Sequence, residues 1–197
     1  MPEVYDLECP GCAAPLSMGM KNCPKCFRPI IVSSFKSFNG LSAQELNKQK
    51  NTYSKALANQ PNNIDLILSS AFCFLKLGLY DNAIEAFEKV FNNNFDNSEA
   101  YFYAAIALLK GKKAFVTERK VIDRALEYLE AATMLEPKGI YYLFQSYLKY
   151  DYYNRKYINI NPDYKEMYQM ACENGLSEYD VEGLFEMLHV TKPNIYS

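Results

Sequence analysis

At 197 residues and 22.7 kDa, with 49% hydrophobic and 22% charged residues, the chain has room for one core-bearing domain and a small appendage. A formal charge of −2 and a balanced residue mixture exclude collagen-like, fibrous and disordered classes. The longest run without a charged residue is the twelve from Cys9 to Met20, short of the roughly 18 to 20 apolar residues that span a bilayer, so a soluble chain without membrane insertion is expected.

The first ten residues, MPEVYDLECP, carry acidic side chains and no apolar core, which does not fit a secretory signal. A cytoplasmic, thiol-reducing setting follows as the expectation. There is one histidine, His189, near the C-terminus. Ser/His/Asp and Cys/His catalysis therefore have a single poorly placed candidate, and no Gly-rich phosphate loop or metalloprotease motif occurs, so the chain reads as a non-enzyme.

Four of the six cysteines form two C-x-x-C pairs, Cys9 with Cys12 and Cys23 with Cys26, separated by ten residues. Each C-x-x-C turn offers two thiolates to one side of a metal ion, and its backbone amides donate to the sulfurs; two turns complete a tetrahedron. The ligand set Cys9, Cys12, Cys23 and Cys26 is read as a structural Zn²⁺ site. A disulfide framework, a thioredoxin-like redox motif and rubredoxin-like iron are the other readings weighed. At these residues, over about 7 to 32, the segment resembles the short zinc ribbons that begin many bacterial cytoplasmic proteins. Such knuckles place glycine after the second cysteine, where positive φ is comfortable, whereas this chain has Ala13 and Phe27. Ile30, Ile31 and Val32 are read as the strand that closes the ribbon.

Residues 33–41 change to a serine- and glycine-containing linker, and the chain then turns helical. Ser42 with Glu45 makes a capping box that opens a helix to about Asn59. Gly78 and Gly111 stand where helices should end. Ala83, Ile84, Phe87, Val90 and Phe91 share one helical face, as do Ile122, Ala125, Leu129 and Ala132. Asn161 and Pro162 read as cap and first-turn proline of a helix ending near Gly175. Ser177 and Asp180 open a last helix whose Val181, Leu184, Phe185 and Leu188 point inward, for about eight helices in all.

From Ile64 the order Ala71, Phe74, Gly78, Tyr80, Ala83, Phe87, Val90 resembles the tetratricopeptide repeat, with Tyr53, Ala56 and Pro61 as the close of a preceding unit. The next unit places Tyr101, Ala104, Ala105 and Leu108 on its first helix, and Ala125, Leu129, Ala132 and Pro137 on its second. An insertion near Lys112 to Lys120 separates those two helices, and Tyr147 stands where the following unit would have a small residue. The expected fold is all-α, a tetratricopeptide-like helical-hairpin array preceded by a small zinc ribbon. The expected boundaries are a ribbon over 1–32, a linker over 33–41, a helical domain over 42–190 and a tail over 191–197.

The resemblance implies a non-enzymatic adaptor that binds a protein segment. By repeat alignment, Leu68, Phe72, Leu75, Phe102, Ile106 and Leu109 would line the concave groove, covered by the chain's own last helix or by a partner helix. Lys112, Lys113, Arg119 and Lys120 lie in the insertion, where residues 110–124 carry a local +4, against a local −5 over residues 173–186, a complementarity that would allow self-association. The head's net of only +1 over residues 1–40 argues against nucleic acid. A nucleic-acid-binding zinc ribbon and a thiol-based metal or redox sensor are the alternatives. Cys73 and Cys172 are read as small core residues.

Overall fold

A computed structural model describes residues 7–9, 12, 14–16, 20, 22–27, 31 and 40–196. The chain divides into two compact units, Met1–Asn93 and Asn94–Ser197. The expected linker lies, over 33–39, outside the described residues, as do Ile30 and Val32 of the expected closing strand; Ile31 itself is a bend.

In the first unit β1 (Leu7–Glu8) pairs antiparallel with β2 (Pro15–Leu16), and the amide of Cys9 donates to Ala14 O at 2.8 Å to tighten the turn between them. Cys9, Ala14, Leu16 and Cys23 form a small buried cluster with Met20 and Cys26 at its edge. β1 rests against α1 (Ala43–Asn59). That helix opens with the expected capping box, Ser42 Oγ accepting from Glu45 N and Glu45 Oε2 accepting from Ser42 N at 2.9 Å.

α2 (Ile64–Lys76) and α3 (Tyr80–Asn93) make a tight hairpin. Ala71 and Ala83 are fully buried, so the helices approach closely, and Phe72 meets Phe87 edge-on at 5.5 Å. Gly78 turns the chain at φ +69°, a conformation an L side chain resists. Cys73 is buried on α2 and its thiol donates to Leu46 O at 3.1 Å; burial pushes its pKa up to about 11.

The second unit holds α4 (Ser98–Leu108), α5 (Arg119–Leu135), α6 (Gly139–Leu148), α7 (Tyr164–Glu173) and α8 (Glu178–Leu188), making eight α-helices among the described residues. α4 packs on α5, α5 on α6, and α6 on both α7 and α8. Ile122, Ala125, Leu129 and Ala132 of α5 are buried as their spacing requires. Among the described residues no helix is long and apolar enough to cross a membrane.

Three features depart from expectation. α7 is capped by Asp163, not Asn161: Asp163 Oδ1 accepts from Lys165 N and Glu166 N while Glu166 Oε2 accepts from Asp163 N, so Pro162 lies outside the helix. The cause is chemical, since a carboxylate with glutamate three residues on satisfies more of the open amides than an asparagine two residues earlier. The expected tail does not dangle: Tyr196 is buried, its hydroxyl 2.9 Å from Ser146 Oγ and its ring against Tyr150, Tyr168 and Phe185. Cys172 is exposed and therefore not a core residue.

Helix α6 does not end as an ordinary α-helix. It runs into a π-helical turn over Lys149–Tyr153, then a 3₁₀ turn to Lys156, and Tyr157 ends it at φ 58°. On a regular helix Tyr141, Tyr147, Tyr152 and Tyr153 could not all face inward. The wider turn rotates the later residues back, and all four are buried.

Candidate metal centre and partner surface

The four cysteine sulfurs Cys9, Cys12, Cys23 and Cys26 lie within 4.8 Å of one another. Cys9 Sγ is 3.4 Å from Cys26 Sγ, and Cys12 Sγ is 3.6 Å from Cys23 Sγ. Neighbouring sulfurs around a tetrahedral zinc with Zn–S bonds of about 2.3 Å are separated by about 3.8 Å, so the donor set fits such an ion with little rearrangement. The same separations are far beyond a disulfide bond of about 2.05 Å, and all six cysteines are free thiols.

The second knuckle is built by its backbone. Lys25 N donates to Cys23 Sγ at 3.4 Å and Phe27 N donates to Cys23 O at 2.9 Å. Closing that turn puts Phe27 at φ 58°, the position where glycine would be at ease, and leaves its ring 80% exposed. Ala13, the counterpart in the first knuckle, lies outside the described residues. Burial of Cys23 works against its thiolate, but the amides of Cys26 and Lys25 and the thiols of Cys9 and Cys12 outweigh it, and its pKa falls from 9.0 to about 6. A thiolate ready at neutral pH is the form a metal takes.

The expected groove residues are placed differently. Phe72, Leu75, Phe102, Ile106 and Leu109 are buried, and only Leu68 keeps partial exposure. Phe102 is covered by α6, with Tyr141 at 4.9 Å and Phe144 at 6.1 Å, while Phe72 is spent inside its own hairpin on Phe87. These five side chains are core, so they line no open groove. Within the second unit α8 packs on α6, where Phe185 meets Tyr147 at 5.3 Å. Repeat alignment places a residue on a helix, but facing helices of neighbouring units compete for the same apolar positions.

The basic insertion keeps its exposed charge. Lys112, Lys113, Arg119 and Lys120 are all exposed, Lys120 meeting Glu118 at 3.0 Å and Arg119 meeting Asp123 at 3.5 Å. Its middle is not loose. Ala114 is buried in a 3₁₀ turn, Phe115 N donates to Asp151 Oδ2 at 2.8 Å, and the Arg155 guanidinium lies 4.4 Å over the Phe115 ring. Asp151 also pairs with Arg155 and accepts from the Tyr147 hydroxyl at 3.4 Å, so the π-helical turn grips the insertion.

Two buried charges on that turn, Lys149 and Asp151, escaped the sequence reading. The signal was present: Lys149 follows Tyr141 and Gln145 at four-residue steps along one helical face.

No protein-family model and no curated protein matches the chain. Among solved structures it is similar to "MamA MSR-1 C2", with 18% identity over 71% of this chain and 71% of that chain and a TM-score of 0.52. It is also similar to "MamA AMB-1 C2221", with 17% identity over 71% of this chain and 74% of that one and a TM-score of 0.54. MamA is a tetratricopeptide-like helical protein. At this identity the likeness speaks for the fold: the chain is an all-α, tetratricopeptide-like hairpin array with a four-cysteine cluster at its N-terminal end.

Proposed function

We propose that the chain is a non-enzymatic adaptor in which Cys9, Cys12, Cys23 and Cys26 hold a structural Zn²⁺ and the helical body binds an acidic protein segment. The observation that carries this reading is the pairing of a closed four-sulfur set, all within 4.8 Å, with a hairpin array of the kind that presents exposed side chains to peptides. Four protein ligands leave zinc no open position, which suits a structural rather than a hydrolytic ion. The partner surface is assigned to Lys112, Lys113, Arg119 and Lys120, because the expected apolar groove residues are consumed by the core. Six free thiols agree with a reducing, cytoplasmic setting, in a bacterial host as the ribbon resemblance implies.

Two measurements test this. Metal analysis of the purified chain should give one zinc per chain, and a chelator should melt the head while far-UV circular dichroism retains the helices, since structural zinc supplies on the order of 10 to 16 kcal/mol to such a fold. A Cys12→Ser variant that kept full zinc and a protease-resistant head would remove the metal assignment. For the partner surface, intact protein and a variant carrying Lys112→Glu, Lys113→Glu and Lys120→Glu are compared in capture from the native host; equal recovery of the same partners would discard the basic surface.

A further inference from the structure

Tyr157 closes the helix that α6 begins, and its backbone is strained. It lies in the left-handed region, φ 58° and ψ 33°, with Ile158 N donating to Tyr153 O at 2.9 Å across the turn. Glycine or asparagine usually takes this position, because a larger side chain crowds the backbone there. A strained residue persists where its packing or its use holds it, and such residues gather at ligand contacts. Packing does not hold Tyr157: its side chain is 97% exposed and makes no hydrogen bond, ring contact or cation contact among the described residues.

The free ring stands beside the basic insertion. Arg155 and Lys156 lie 4.4 and 5.1 Å from the Phe115 ring, and Lys156 also lies 3.7 Å from the Tyr152 ring, so the end of this helix and the middle of the insertion form one surface. Val116, next after Phe115, is 68% exposed. Arg155 pairs with Asp151, Arg119 with Asp123 and Lys120 with Glu118, and these charges cancel. Lys112, Lys113 and Lys156 remain, with no counter-ion among the described residues. Lys113 and Arg155 also border a recess of about 320 Å³ with Tyr150, Asp151, Lys192 and Ile195. Its one carboxylate, Asp151, is taken up by Arg155, the Phe115 amide and the Tyr147 hydroxyl, and Lys192 is paired with Glu182.

We propose that this surface recognises an acidic protein segment that carries an apolar side chain, with the Tyr157 ring and Val116 as the apolar contact and Lys112, Lys113 and Lys156 as the cations that meet its carboxylates. The inference rests on the reading of the insertion as the partner surface and adds the apolar determinant. Three uncompensated cations set the sign of the partner's charge. Tyrosine suits the apolar contact, since its ring contributes contact area while its hydroxyl tolerates water before binding. Single-stranded nucleic acid fits less well, because it stacks on several open rings and Phe115 is already covered by Arg155 and Lys156.

The test is fluorescence anisotropy on the full-length chain with labelled probes: a glutamate-rich peptide with a central phenylalanine, the same peptide with alanine there, and oligouridylate. The phenylalanine peptide should bind tightest, and Lys112→Glu with Lys113→Glu should abolish its binding. Tyr157→Gly should weaken it about tenfold, as loss of an aromatic anchor does. The melting temperature of that variant should hold or rise, because glycine is at ease at φ 58°. Binding that Tyr157→Gly leaves unchanged, equal affinity for the two peptides, or a marked fall in melting temperature overturns the apolar determinant and leaves the basic surface standing. Failure of both peptides to bind, or tighter binding of oligouridylate, overturns the two together.

Discussion

The hairpins α2–α3 and α4–α5 are two versions of one unit, and they hold their turns by different means. The first connects its helices through three residues, Leu77 to Leu79, with Gly78 at positive φ. The second needs the ten residues from Leu109 to Glu118. A short turn is held by its own backbone, whereas a long one must find contacts elsewhere, and here it finds them on the π-helical turn through Asp151 and on either side of it through Tyr147 and Arg155. The first unit is thus stabilised chiefly by repeat packing. The second also depends on segments that are not repeats at all, namely the insertion, the π turn and the chain end at Tyr196.

Removing Tyr196 strikes the second unit where it depends most on a segment outside the repeats. Its buried ring touches Tyr150, Tyr168 and Phe185, so Tyr196→Ala should cost about 3 kcal/mol and lower the melting temperature of the second unit, with hydrogen exchange in α2–α3 unchanged. Equal loosening of α2–α3 would show that the two units do not differ in this way.

Asp151→Ala comes next, at about 2 kcal/mol, because it leaves the Phe115 amide and Tyr147 hydroxyl without their acceptor; Arg155 is 43% exposed and can turn to water. Amide exchange at Phe115 should rise sharply, and unaltered protection there would mean the insertion is held by something else. Gly78→Ala tests the other hairpin: the added methyl has ordinary space, nearest Tyr80 Cε2 at 3.9 Å, so the cost of about 1 kcal/mol comes from φ +69° alone. A thermal melt that did not move would deny the backbone argument. Smallest of all, replacing Lys112, Lys113, Arg119 and Lys120 by glutamine should change stability by under about 1 kcal/mol while partner affinity falls, which separates a binding surface from a structural one by melting and titration on the same sample.

What the sequence made legible follows the same division. The capping boxes at Ser42 and Ser177, the face of α5 and the positive-φ turn at Gly78 are local, each set by residues within one helical turn, and all are found as expected. The four-cysteine cluster is legible because C-x-x-C spacing itself constrains geometry. Phe72 and Phe102 are buried, as a covered apolar stripe requires, but which side chains cover them, Phe87 and Tyr141, is decided by what packs beside them, which no helical period records. Lys149 and Asp151 were missed for a related reason: a charged residue reads as surface until the partner segments, the loop before α7 and the insertion, are seen to fold over it.

The π-helical turn also sets a frame for anyone who would splice or extend this array. An α-helix repeats every 3.6 residues, and a π turn spends one residue more on the same rotation. Every side chain from Tyr152 onward is therefore out of phase with the numbering that α6 would suggest, and a regular hairpin grafted by sequence alignment after Lys149 would present its polar stripe to the core. Deleting one residue between Lys149 and Tyr153 would restore the phase for the graft, and the same cut would turn Asp151 away from the insertion it holds.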